Sequence, residues 1–171
     1  MEDDVRLGVK IDGTSSSSFK KALFNLTPGK KIYAGQLAGD FVLPQKSDNK
    51  YVFIAGGIGV TPFRSIVKSL VDRKQKKDIV LFYTCSSPTD FVYKNIFDRA
   101  QEFGIKTVYV CSHPPADWKE RSGRLTPQMI EEEASDFKNR TYYLSGPSAM
   151  VDGYKKMIRE LGINSKKIIT D

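Results

Sequence analysis

From residue 51 onward, short apolar runs alternate with longer stretches of helical periodicity. Residues 51–55 are a continuous apolar run, as in a strand that is covered on both faces. Residues 62–73 place apolar side chains at i, i+3, i+4, i+7 and i+8, which is the stripe of an amphipathic helix. Because a strand, a helix and a second strand in succession form a parallel crossover unit, this rhythm predicts a parallel sheet with helices on both faces.

The alternation continues to the end of the chain. Strands are predicted at residues 51–55, 79–84, 107–111, 141–144 and 167–169. Helices are predicted at residues 62–73, 90–103, 126–137 and 147–161. We therefore expect an α/β domain over residues 47–171, built on a five-stranded parallel sheet.

Residues 1–46 have a different pattern. Apolar and polar residues alternate over residues 5–11, as in a half-buried strand, and short apolar runs follow at 32–34 and 41–43. A short helix fits residues 19–26. About three strands are too few to close a barrel or to be stable alone, so this segment is predicted to be part of a larger antiparallel β-structure.

Composition limits the class of protein. The 171 residues include 27 Lys or Arg and 20 Asp or Glu, which gives a net charge of +7. No apolar run approaches the ~20 residues that span a bilayer, and no signal peptide is recognisable, so we predict a cytoplasmic protein without a membrane span. The two cysteines are too few for a disulfide framework or a metal site. The dispersed basic residues favour an anionic cofactor or an acidic protein over nucleic acid.

The turn between the first predicted strand and helix is rich in glycine. Residues 55–62 read Ala-Gly-Gly-Ile-Gly-Val-Thr-Pro. Glycine permits positive φ and close approach of a ligand to the backbone, Thr61 is expected to cap the helix, and Pro62 fits its first turn. Free N–H groups at a helix N-terminus suit a pyrophosphate. A tight turn without a ligand would explain the same glycines.

Two common nucleotide motifs do not fit this turn. Pro62 stands where the third glycine of the dinucleotide fingerprint would be, and no acidic residue precedes Asp90 at the end of the second strand. No Gly-Lys-Ser/Thr follows, so the turn is not a P-loop.

Three motifs resemble the ferredoxin–NADP reductase superfamily. Residues 56–62, Gly-Gly-Ile-Gly-Val-Thr-Pro, are similar to its nicotinamide-nucleotide turn. Residues 143–151, Tyr-Leu-Ser-Gly-Pro-Ser-Ala-Met-Val, resemble its Cys-Gly-Pro-x-x-Met motif. Residues 13–23, with Leu-x-Pro-Gly at 26–29 and Gly-x-Phe-x-Leu-Pro at 39–44, resemble the closing half of its flavin-binding barrel. The motifs occur in the order found in that family.

The resemblance implies a two-domain flavin-dependent oxidoreductase. Residues 1–46 would be part of the antiparallel barrel that holds FAD or FMN, and residues 47–171 would bind NAD(P)H. Hydride would pass from nicotinamide C4 to flavin N5, and electrons would then pass to an iron–sulfur protein such as ferredoxin, to flavodoxin or to another acceptor. An acidic carrier would suit the basic chain, which would act alone or as a soluble module of a larger complex.

The resemblance also assigns roles to individual residues. Those expected around the pyrophosphate and nicotinamide are Gly56, Gly57, Gly59, Thr61 and Pro62. Those expected to bound the nicotinamide pocket are Ser145, Gly146, Pro147 and Met150. Those expected near the adenosine are Tyr83 and Ser86. Those expected near the flavin phosphate are Ser16, Ser17, Ser18 and Lys20. The two residues expected beside the reacting atoms are Ser145 and Thr61.

The chain departs from two of the family's motifs. Ser145 replaces the cysteine beside the nicotinamide, and the flavin signature Arg-x-Tyr-Ser/Thr is absent from the sequence. The second departure leaves open an NAD(P)H-binding fragment without flavin or turnover. At Ser86, family members that bind NADPH often have an arginine, so a small hydroxyl mildly favours NADH, although Lys94, Arg99, Arg121 or Arg124 could reach a phosphate.

Five further residues carry separate expectations. His113 could be a general base but is predicted to be a surface histidine, because hydride transfer needs none. Cys85 and Cys111 are predicted to be buried structural thiols. Trp118 could stack on a base or anchor its loop. A branched side chain at Gly59 is expected to block the pyrophosphate and to leave the fold mostly intact.

Overall fold

The computed structural model describes residues 5, 7–11, 17–33, 35, 39–44 and 49–171. Glu2–Asp40 forms one compact unit, and Phe41–Asp171 belongs to the other. In the described part of the first unit, helix α1 spans Ser18–Phe24 and no residue is assigned to a strand. The predicted short helix is therefore present. The predicted antiparallel strands have no counterpart among these described residues, where the apolar side chains of Val5 and Tyr33 are exposed.

The second unit is built on a parallel sheet. Its described strands are β1 Tyr51–Gly56, β2 Ile79–Cys85, β3 Ile105–Cys111, β4 Arg121–Ser122, β5 Thr141–Ser145 and β6 Ile168–Thr170. Their order is β4-β3-β2-β1-β5-β6, and every neighbouring pair is parallel. The predicted α/β class is confirmed. The described sheet has six strands rather than five, because β4 is a two-residue strand too short to carry an apolar pattern.

The helices of this unit are α2 Thr61–Asp72, α3 Lys94–Arg99, α4 Pro127–Glu133 and α5 Ser148–Glu160. Two are shorter than predicted by several residues. α3 begins late because Tyr93 before it has a φ of +61°, and it continues as the 3₁₀ helix Ala100–Phe103. α4 ends early because Ala134 has an extended φ of −140°. No helix of the described residues is long and apolar enough to cross a membrane.

Helices cover both faces of the sheet, as predicted. Along β1, Phe53 faces one core with Phe63 of α2, and Ile54 faces the other core with Ile158 of α5. All six residues of β1 are buried, which is the reason for its uninterrupted apolar run.

A charged cluster joins the amino ends of β1, β2 and β5. Arg140 is only 5% exposed, and its Nη1 donates to Asp78 Oδ1 at 2.6 Å and to Tyr51 O at 3.3 Å. Its Nε donates to Asp136, which also accepts from Lys50 Nζ at 2.7 Å. The hydrogen bond from Lys50 is the main reason that the pKa of Asp136 is lowered. This cluster ties together three strands at the edge opposite to their carboxyl ends.

Replacing Arg140 by Met tests the cluster. The change would remove the Arg140 hydrogen bonds from two carboxylates and from the Tyr51 carbonyl. We expect a loss of about 2 kcal/mol in the free energy of unfolding, because both carboxylates keep Lys50 as a partner and some access to water. The ion pair of Lys156 with Glu160 is exposed, so Lys156→Met should change stability by less than about 0.5 kcal/mol. Urea denaturation of both variants measures the difference. Equal losses would contradict a structural role for Arg140.

Candidate functional site at the carboxyl edge of the sheet

The order of the strands creates a crevice beside β1. The chain passes from β1 outward to β2 and β3 on one side, and it later returns to place β5 on the other side of β1. The connections after β1 and β5 therefore leave the sheet in opposite directions. In open parallel sheets, ligands bind outside the carboxyl ends of the strands at such a switch point. The two glycine-containing motifs of the sequence follow these two strands.

The connection after β1 is short and has little side-chain bulk. A 3₁₀ helix, Gly57–Val60, runs directly into the 12-residue α2. Gly57 has a φ of +52°, and a Cβ added there would meet no atom within 4 Å, so this side of the turn is open. Pro62 lies in the first turn of α2, as predicted. Thr61 is the first helical residue and Val60 precedes it without a side-chain cap, so the predicted capping role of Thr61 is wrong.

Gly59 brings the two turns together. A Cβ at Gly59 would lie 2.5 Å from Gly146 Cα and 2.6 Å from Ser145 O. These are backbone atoms that cannot rotate away. The expectation that a branched residue at Gly59 would leave the fold mostly intact is therefore wrong, since it would push the turn after β5 away from the turn after β1.

A second contact lies beside the first. A Cβ at Gly56 would overlap Met150 Sδ and lie 3.2 Å from Pro147 Cδ, and Gly146 has a φ of +153°. Thr84 Oγ1 donates to Ala55 O at 3.0 Å and lies 3.7 Å from Met150 Sδ. The structure thus brings Gly56, Gly146, Pro147 and Met150 together at one edge of the sheet.

Ser145 is the last residue of β5 and is only 1% exposed. Its Oγ donates a hydrogen bond to Asp171 Oδ2 at 2.7 Å. Asp171 follows β6, which pairs with β5 in parallel, so both residues come at the same edge. The sequence interpretation missed Asp171. The available signal was an acidic residue two positions after the last predicted strand, residues 167–169.

The two residues expected near an adenosine are placed differently. The Tyr83 side chain is fully buried, and its hydroxyl accepts from Val92 N at 3.1 Å and donates to Asp90 O at 3.3 Å. Burial raises the pKa of this hydroxyl well above its usual value. Ser86, three residues later, is exposed. Tyr83 therefore fixes the backbone of the connection after β2 from the buried side, whereas Ser86 lies on the surface of that connection.

The residues expected near a flavin phosphate belong to the unit Glu2–Asp40. Ser17 caps α1, and its side chain accepts from Lys20 N at 3.4 Å. Ser18 is the first residue of α1. Ser16 lies outside the described residues.

The two thiols are structural, as predicted. Cys85 and Cys111 are free, buried and paired in register on β2 and β3. Burial raises the pKa of Cys85 to about 11, so it is a neutral thiol at pH 7. Cys111 Sγ donates to Ser86 O at 3.4 Å. Among the described residues there is no group of three or more His, Cys, Asp or Glu that could hold a metal ion.

His113 and Trp118 lie in the connection after β3. His113 is exposed, as predicted, and its backbone N donates to Ser86 O at 3.0 Å. Trp118 is partly buried: its ring stacks on Phe91, and its Nε1 donates to Arg121 O at 3.1 Å. Of the two interpretations of Trp118, the structure supports the one in which it anchors its loop.

Comparison with known proteins identifies the family. The family described as "Oxidoreductase NAD-binding domain" matches residues 53–156, which include both glycine turns. The chain belongs to this family. The predicted resemblance to the ferredoxin–NADP reductase superfamily is thereby confirmed for the NAD-binding domain, and a ferredoxin-NADP+ reductase mutant from Plasmodium falciparum shares the fold, with a TM-score of 0.71 at 18% identity over 91% of this chain and 65% of that one.

Two curated relatives and one further structure extend the comparison. The chain is 26% identical over 167 residues to the flavohemoprotein of Bacillus subtilis, covering 94% of this chain and 41% of that protein. It is 29% identical over 157 residues to a component of the Na(+)-translocating NADH-quinone reductase of Methylococcus capsulatus, covering 87% and 38%. The structure of the Amycolatopsis cytochrome P450 reductase GcoB matches with a TM-score of 0.67 and 25% identity over 78% of this chain and 41% of that one. The chain thus spans about two fifths of these relatives.

Alanine substitutions separate packing from conformation at the two glycines. Gly59→Ala should lower the free energy of unfolding by about 2 kcal/mol or more, because its Cβ meets backbone on the opposite turn. Gly57→Ala has open space and should lose only about 1 kcal/mol for the positive φ. Chemical denaturation of both variants gives the comparison. A smaller loss at Gly59 than at Gly57 would contradict the backbone contact between the turns.

Proposed function

We propose that this chain binds NAD(P)H in the crevice at the carboxyl ends of β1 and β5 and supplies the nucleotide site of a flavin-dependent oxidoreductase. One observation carries the proposal: two glycine turns contact each other through backbone atoms at the switch point of the sheet, and one of them is open at Gly57. The match to the NAD-binding family supports the choice of ligand.

The residues present fit a dinucleotide. A pyrophosphate needs backbone N–H groups without side chains in front of them, and the open face of Gly57 and the N-terminus of α2 meet that need. Gly56, Gly59, Thr61 and Pro62 complete this turn. The proposed phosphate half of the site therefore depends on backbone geometry more than on charge.

The nicotinamide half of the proposed site lies at the second turn. Gly146, Pro147 and Met150 would bound the pocket, and Ser145 and Thr61 would stand beside the reacting atoms. Because the Ser145 hydroxyl donates its hydrogen bond to Asp171, the lone pairs of its Oγ are available to accept from a carboxamide N–H. Ser145 would thus orient the nicotinamide, whereas the bound cofactors supply the hydride chemistry.

NADH is the proposed nucleotide. Two relatives of this chain, the Na(+)-translocating NADH-quinone reductase component and an NADH oxidoreductase of Escherichia coli, carry NADH in their names. Ser86 offers a small exposed hydroxyl where a 2′-phosphate would need a cation. Two candidate cations have other partners: Lys94 Nζ lies 4.0 Å from the Tyr109 ring centre, and Arg121 pairs with Glu132 and Glu133.

FAD or FMN is the proposed hydride acceptor, followed by an acidic electron carrier such as ferredoxin or flavodoxin. Relatives named flavohemoproteins and reductase components support the flavin, and the net charge of +7 supports an acidic partner. Ser16, Ser17, Ser18 and Lys20 are the proposed contacts of the flavin phosphate. Two free buried cysteines are typical of a reducing compartment, so we propose a cytoplasmic site of action.

A second candidate function, NAD(P)H binding without flavin, is supported by a separate observation. No described residue before Tyr51 is assigned to a strand, and the sequence has no Arg-x-Tyr-Ser/Thr signature. The described part of Glu2–Asp40 therefore does not build a barrel wall for the flavin ring. The alternative is a chain that binds NAD(P)H without flavin and without turnover.

Asparagine substitutions test the nucleotide site. Asn tolerates positive φ better than most residues, so Gly57→Asn should fold and should place its side chain in the open face of the turn. We expect NADH affinity to fall about tenfold, as for a ligand that loses several backbone contacts. Gly162→Asn is the matched control, since Gly162 has a φ of +85° and open space but follows α5 at the amino edge. Calorimetric titration measures both. Equal affinities in the two variants would contradict the site.

An absorbance spectrum separates the two functions. The purified chain, after incubation with FAD or FMN and gel filtration, should retain the visible absorbance of bound flavin and should reduce ferricyanide with NADH if it is the proposed oxidoreductase. NADH binding without retained flavin would favour the alternative. A chain that binds neither would contradict both functions.

A further inference from the structure

The connections after β2 and β3 are joined by an aromatic stack. The rings of Phe91 and Trp118 lie nearly parallel, with centres 5.7 Å apart and an angle of 7° between their planes. Phe91 is only 7% exposed and also packs edge-on against Tyr83 and Tyr109, at 5.0 Å and 5.2 Å. Trp118, the one tryptophan of the sequence, packs on the same core from the following connection. The stack therefore links two loops through one buried ring.

Hydrogen bonds fix the first loop on both sides of Phe91. The Tyr83 hydroxyl donates to Asp90 O and accepts from Val92 N, the residues that flank Phe91. A buried hydroxyl with both a donor and an acceptor partner holds one backbone conformation, because losing either bond would leave a buried polar group unpaired. Tyr83 thus fixes the backbone on both sides of Phe91, and the Phe91 ring packs on Tyr83 as well as on Trp118.

Backbone hydrogen bonds join the same two loops where they leave the sheet. Ser112 N donates to Cys85 O, and His113 N donates to Ser86 O, both at 3.0 Å. Further along the second loop, Trp118 Nε1 donates to Arg121 O. The two loops are therefore connected at their base and again at Phe91 and Trp118, and we expect them to behave as one rigid wall.

We infer that the stack of Phe91 on Trp118 positions this wall for the adenosine half of the dinucleotide. The inference rests on the proposed function, in which the nicotinamide half lies between β1 and β5 and the adenosine half lies at the end of β2 near Ser86. A wall that is already ordered adds no ordering cost when the ligand binds. The two aromatic residues are positioning residues, and they act through the loop that carries Ser86.

Ligand fragments test the inference, because they separate the two halves of the site. For Phe91→Leu, we expect binding of NADH and of ADP-ribose to weaken about fivefold, the effect expected from losing the stack on Trp118 that joins the two loops. Binding of reduced nicotinamide mononucleotide should be unchanged. Trp118→Phe keeps a stacked ring, so its ADP-ribose affinity should stay within about twofold of that of the wild type. A role in general stability alone would weaken all three ligands together.

Phe103→Leu is the matched control. Phe103 is partly buried against the same core, but it precedes β3 and so lies at the amino edge of the sheet. It should leave binding of all three ligands unchanged, while thermal unfolding verifies that each variant is folded. If the wild type binds NADH, and Phe91→Leu binds ADP-ribose as tightly as the wild type does, the inference fails and the proposed function stands. If the wild type binds none of the ligands, both fail.

Discussion

The backbone contact between Gly59 and the pair Ser145–Gly146 determines how the site is built. A Cβ at Gly59 would come within 2.6 Å of backbone atoms on the second turn, so the two turns can meet only where no side chain stands between them. This contact fixes the starting points of α2 and α5 relative to each other. It also makes the glycines of the first turn unequal: Gly59 serves packing, and Gly57 faces open space.

The contact between the two glycine turns lies at the switch point of the sheet. After β1 the chain adds β2 and β3 on one side of that strand, and it later adds β5 and β6 on the other side. The glycine turns after β1 and β5 meet at this switch point, where Gly56, Gly59, Gly146 and Met150 come together. On one side, Ser145 is oriented by Asp171; on the other, the loops after β2 and β3 are held together by Phe91 and Trp118. The proposed hydride chemistry requires little of the protein beyond such orientation, because the cofactors carry the reactivity.

The sequence predicted the fold where local pattern and tertiary environment agree. The uninterrupted apolar run of β1 and the apolar stripe of α2 follow from burial on the two faces of the sheet. Sequence reasoning failed for the packing role of Gly59, because that role depends on a turn far along the chain. It also missed β4, because a strand of two residues is too short to carry a periodic pattern. The late start of α3 follows from the positive φ of Tyr93, a backbone conformation that the apolar pattern does not predict.

The central claim is that a dinucleotide binds across the two glycine turns. Amide chemical shifts of the isotope-labelled chain, followed during titration with NADH, test it most directly. We expect the largest chemical-shift changes in residues 56–61 and 145–150 and smaller changes after β2. The amides around Asp78 and Arg140 at the opposite edge should keep their chemical shifts. Shifts centred on that opposite edge, or no saturable shifts at all, would contradict the claim.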